Sequence, residues 1–161
     1  MLILSLAAAG CGDGRPSMVQ ATGTVKLDGQ PVDKAAIAFQ PISDPKAPYR
    51  RPSNGVTDAG GKFSLWTYQP NDGIPPGKYK VAVIKQEAVG QLPANYDSEM
   101  PGQLNMKVKW IVPKMYASPE TSGLEVEVTS SGLQPDTLDL QSGGAKPEVE
   151  STGPRSRGNE P

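Results

Sequence analysis

Trp66, Tyr68 and Trp110, together with Tyr49 and Tyr96, are the side chains best suited to recognising a ring-shaped ligand. A large π-face with a polar tip stacks on sugars from half-exposed positions. Trp66 and Tyr68 lie two residues apart, so in an extended segment they share one face, opposite Phe63, Leu65 and Thr67. An open face there would make a carbohydrate-binding surface. Glu125 and Glu127 repeat that spacing with carboxylates, as a paired acid and base would, but so does the charged outer face of a sheet. Lys114, Tyr116 and Ser118 carry the residue types of a serine–lysine dyad, though a surface loop uses the same residues. The clusters Asp28-Gly29, Asp58 to Gly61 and Asn71-Asp72-Gly73 offer oxygens of the kind calcium takes. None has the spacing of a calcium loop, and turn chemistry accounts for all three.

Composition removes most catalytic options. There are 0 histidines and 1 cysteine, which excludes Ser-His-Asp and Cys-His catalysis, His-ligated zinc, an intrachain disulfide and a Cys-x-x-Cys pair. With 16 Lys and Arg against 17 Asp and Glu, no basic field exists for nucleic acid, and the short run Lys46, Arg50, Arg51 is a local feature. A non-catalytic role without metal or other cofactor is therefore expected.

The apolar run Leu2 to Ala9 is too short to span ~30 Å of hydrocarbon and fits the h-region of a secretory signal. Small residues at Ala8 and Gly10 suit a signal peptidase, and Cys11 follows directly. The segment Ala8-Ala9-Gly10-Cys11 resembles the lipobox of bacterial lipoproteins. That resemblance implies cleavage between Gly10 and Cys11, loss of residues 1–10 as a signal peptide, and acylation of Cys11. Residues 11–18 then become anchor and spacer, and membrane lipid becomes the first partner. Acyl chains gain ~0.8 kcal/mol per buried CH₂, enough for two or three to hold a protein stably. The implied location is the bacterial cell envelope, facing the periplasm or the exterior, where an envelope protein or polysaccharide would be a further partner. No Lys or Arg precedes the apolar run, so a basic upstream start is expected.

The elements that must position these side chains read as strands. Odd positions Val19 to Leu27 are apolar or small and even ones polar, a half-buried strand, and Ala35, Ile37 and Phe39 alternate after the Asp28-Gly29-Gln30-Pro31 turn. These two form an expected hairpin. Val56-Thr57 and Lys62 to Thr67 form a second around Asp58 to Gly61, while Tyr79 to Ile84, apolar on both faces, reads as a central strand. Leu124 to Thr129 and Leu138 to Leu140 complete about seven short strands without a helical stripe, as in an antiparallel β-sandwich; a small Greek-key barrel would suit the same spacing, which period two does not separate.

The order Gly23 to Val32, Ala36 to Phe39, Gly55 to Phe63 and Pro76 to Val81 resembles a carboxypeptidase-regulatory-like domain. The stretch Val112 to Leu124 is similar to the end of small bacterial lipoproteins carrying one such domain. The resemblance implies an all-β, antiparallel, seven-stranded Greek-key sandwich of transthyretin (prealbumin) type over residues 19–141. Residues 86–112 depart from the pattern as an insert whose placement stays open, an added edge strand being one reading. The last twenty residues, 142–161, hold Val149 as their one large aliphatic and are expected to be disordered.

Overall fold

The computed structural model describes residues 16–43, 51–90 and 107–151. Among them lie β1 Thr22–Leu27, β2 Gln30–Pro31, β3 Ala36–Pro41, β4 Ser53–Val56, β5 Lys62–Ser64, β6 Gly77–Ile84, β7 Gln86–Val89, β8 Lys107–Trp110, β9 Glu125–Thr129, β10 Gly132–Gln134, β11 Thr137–Leu140 and β12 Val149–Ser151. One 3₁₀ turn, Lys114–Ala117, accompanies them. Among the described residues no helix is long and apolar enough to cross a membrane.

Three sheets result. The first places β1 between β11 on one edge and β5 followed by β2 on the other. The second runs β10-β9-β6-β3-β4, and the third β12-β8-β7. Alternation decides what each strand buries: Val25, Ile37, Phe39, Phe63, Val126, Val128, Leu138 and Leu140 point inward, while Glu125 and Glu127 stay exposed. Phe39 of the second sheet meets Phe63 of the first with ring centres 6.1 Å apart, so these two sheets pack face to face as a sandwich. The expected central strand is β6, flanked by β9 and β3, with Tyr79, Val81, Ala82 and Val83 buried. Tyr79 donates its hydroxyl to the Pro75 carbonyl at 2.6 Å, tying the strand's start to the loop before it.

Neither expected hairpin closes as a pair within one sheet. β1 pairs with the two-residue β2, and after a turn in which Lys34 takes φ 49° the chain crosses to the second sheet, where β3 begins. Crossing lets the apolar faces of β1 and β3 bury against each other across the core, which side-by-side pairing would not. Thr57 pins the crossing: its hydroxyl accepts the Ala35 amide at 2.7 Å, and its carbonyl accepts the Lys34 amide. Likewise β4 pairs with β3 while β5 pairs with β1, so the Asp58 to Gly61 turn links the two layers. A bridge between Asn54 and Trp66 ties the strands together beyond it.

Two further expectations are corrected, and the open insert finds its place. The sheets are not wholly antiparallel, because β1 and β11 run parallel in register from Thr24↔Thr137 to Leu27↔Leu140. The open insert contributes β7 and β8, which pair antiparallel and with β12 form the third sheet. Finally, residues 142–151 are not disordered, for β12 pairs with β8 and Glu150 forms an ion pair with Lys114 at 2.7 Å. Ladder bonds and charge pairing order that segment where apolar burial would not.

Candidate functional site

Gly10 and Cys11 lie outside the described residues, as do Lys46, Tyr49, Arg50 and Tyr96. The other sequence candidates fall in separate places. Glu125 and Glu127 stand opposite Lys80 and Lys78 on β6, an exposed charge ladder. Lys114 pairs with Glu150, and the Ser118 hydroxyl donates to Glu120, so no serine–lysine dyad forms. The buried Tyr116 hydroxyl donates to the Gln141 carbonyl at 3.3 Å and accepts the Gln141 amide at 3.0 Å.

The aspartates of the three turn clusters bond to backbone. Asp58 accepts the amides of Gly60 and Lys62, and Asp28 accepts that of Ser142. Asp72 accepts three, from Thr67 at 2.8 Å, Tyr68 at 2.9 Å and Gln69 at 3.0 Å. Among the described residues no three His, Cys, Asp or Glu side chains converge as a metal site would require.

Burial works to raise the Asp72 carboxyl, yet the three amides outweigh it and leave the group below its ordinary range. A carboxylate depressed in the folded state contributes stability above its unfolded pKa of ~3.9, which is lost as pH falls through the folded value. Asp72→Asn replaces one acceptor oxygen by a donor facing amide hydrogens. It is expected to cost about 1–2 kcal/mol at neutral pH, kept low by partial solvent access. Below about pH 4 the variant should lose less further stability than the parent, as urea unfolding at both pH values would show.

Trp66 and Tyr68 flank this loop and are half-buried. Trp66 exchanges both backbone hydrogen bonds with Asn54, at 2.8 and 2.9 Å, and the Arg51 guanidinium lies 5.4 Å from the Tyr68 ring centre. They brace the 66–73 loop against β4. Neither reaches the groove of about 410 Å³ that Trp110 lines.

That groove forms where three distant segments meet. Leu27 and Asp28 come from the end of β1, Lys109 to Lys114 from β8 and the turn after it, and Ser142 to Glu148 from the approach to β12. Asp28 fastens the first to the third, accepting the Ser142 amide at 2.9 Å across 114 residues. Hydrogen bonding to the Ser142 hydroxyl and amide holds the Asp28 carboxyl below its ordinary range. Trp110 is fixed in turn: its indole N–H donates to Glu150 at 3.2 Å, and the Lys114 ammonium lies 5.5 Å from its ring centre. Sequence reasoning singled out Trp110, but not Ser142, Lys109 or Lys146. No local pattern marks them, since only the β1–β11 and β8–β12 pairings bring them together.

A second depression, of about 570 Å³, opens over Thr24, Asp58, Lys62 and Phe63. Phe63 is 3% exposed and Asp58 is engaged in its turn, which leaves little there to grip a ligand. Comparison with family models, with curated proteins and with solved structures finds no match to this chain.

Proposed function

We propose that the chain is a lipid-anchored protein of the bacterial cell envelope whose β-sandwich binds or braces a partner without catalysis. The observation that carries this reading is the apolar run Leu2 to Ala9 followed by Gly10 and the sole cysteine, Cys11, and then by a polar, turn-rich stretch. The fold supports it in two ways. Setting aside the third sheet and the short returns β2 and β10, seven strands make up the two facing sheets. That number suits a carboxypeptidase-regulatory-like sandwich of transthyretin-like, Greek-key type, with the third sheet as its elaboration.

The path of the chain supports an orientation as well. Val19 bridges Ile74, and the Gln20 side chain donates to the Asn71 carbonyl, so the chain enters the body beside the loop before β6. At about 3.3 Å per residue, the run from Val19 to Leu27 then covers roughly 26 Å. The groove at Leu27 and Asp28 therefore opens at the far end of this run from Val19 and Ile74.

The test is the intact mass and fractionation of the protein beside Cys11→Ser. Expected are a membrane-bound parent lacking residues 1–10 and carrying acyl chains, and release of the variant into the soluble fraction. An uncleaved, unacylated parent in the soluble fraction would refute the anchor.

A further inference from the structure

We infer that the groove around Trp110 is a binding site for uncharged saccharides. This names the partner class for the envelope role proposed above. It rests on that reading for where the sugar is met, and on the groove alone for the chemistry.

Rigidity is the first argument. Trp110 sits on the middle strand of the third sheet, its N–H held by Glu150, which also binds the Lys114 ammonium lying over the ring. Fixing an aromatic before binding removes an ordering cost that the ligand would otherwise meet.

Charge is the second argument. Lys109, Lys114 and Lys146 in the groove are balanced by Asp28 and Glu148 in its lining and by Glu150 against it. A polyanion would find no net field to capture it. What remains is an indole with the Lys114 ammonium over one face, beside the apolar Leu27, Ile111 and Pro113 and rimmed by hydrogen-bond donors and acceptors. A sugar matches that arrangement, because its C–H face packs on an aromatic ring while its hydroxyls both give and accept hydrogen bonds. The volume of about 410 Å³ falls within the ~300–1,000 Å³ typical of small-ligand sites.

Position is the third argument. The Asp28–Ser142 bond holds the groove's two walls together.

The experiment titrates the full-length chain carrying Trp66→Phe, so that Trp110 is the sole tryptophan reporter. The probes are cellotetraose, chitotetraose, tetragalacturonate and a tetraglutamate peptide, each at low and high salt. We expect one or both neutral tetrasaccharides to shift the Trp110 emission with an affinity that salt leaves unchanged. Trp110→Ala, followed by calorimetry, should lower that affinity roughly tenfold or more. Ala145→Arg, at an exposed position on the rim, should block the groove without touching the core. Unchanged far-ultraviolet dichroism confirms that each variant is folded. The proposal is overturned if no neutral tetrasaccharide shifts the emission, if only the two anionic probes bind and salt releases them, or if both groove variants retain full affinity. Cys11→Ser leaves the groove intact, so failure of the anchor and failure of the sugar site are separate results.

Discussion

Phe39→Ala is expected to destabilise the protein by about 3–5 kcal/mol, read as a lowered urea midpoint with unchanged slope. Phe39 is 0% exposed on β3, and its ring lies 6.1 Å from the ring centres of both Phe63 and Tyr79. Those partners come from different sheets, so truncation opens a cavity in the seam of the sandwich. Neither neighbour can collapse into it, because β5 is fixed to β1 and Tyr79 is tethered through its hydroxyl to Pro75. Against the ~5–15 kcal/mol of a typical domain this is a large share of the total. Val56→Ala supplies the control: Val56 lies on the neighbouring strand β4 at 53% exposure, so its loss should change stability by less than about 0.5 kcal/mol. Equal losses at the two positions would mean that the sheets do not pack through Phe39.

The contrast between these residues also shows what was legible in the sequence. Alternation assigned the inward faces of β1, β3, β6, β9 and β11, because side-chain direction in a strand depends only on local parity. Partnership was not legible. Whether Ala36 to Pro41 returns beside β1 or crosses to the facing sheet depends on the backbone near Lys34 and on Thr57, which lies 22 residues along the chain from the Ala35 amide it holds. The parallel pairing of β1 with β11 depends on contacts between segments more than a hundred residues apart. The third sheet left the weakest trace, since β7 is exposed throughout and Val149-Glu150-Ser151 has the composition of a tail. Its order comes from β8 and from the Lys114–Glu150 pair. Trp110 could be picked out as an aromatic capable of stacking, but the Asp28–Ser142 contact that completes its groove exists only after folding.

Gly73→Ala carries the second large effect, at the opposite end of the molecule from the groove. Gly73 has φ +88°, and a Cβ there would lie 2.3 Å from the Val19 carbonyl oxygen and 2.8 Å from its carbon. The obstacle is backbone, so no side-chain rotation relieves it. The carbonyl cannot withdraw freely either, because it accepts the Ile74 amide at 3.0 Å while the Val19 amide donates back to Ile74 at 2.9 Å. Strain of ~1–3 kcal/mol at positive φ therefore adds to the loss of that bridge, for an expected total of about 2–4 kcal/mol. Gly29→Ala separates the two contributions: Gly29 has φ +81° but nothing within 4 Å of its would-be Cβ, so only the torsional part, about 1–2 kcal/mol, should appear. Hydrogen exchange gives the local readout, with faster exchange expected at Val19 and Ile74 in Gly73→Ala and unchanged exchange there in Gly29→Ala. Val19 begins the run into β1, so losing this bridge loosens the start of that strand. The groove at Trp110 shares no residue with this bridge. Saccharide affinity at neutral pH should therefore be the same in Gly73→Ala as in the parent wherever the variant remains folded.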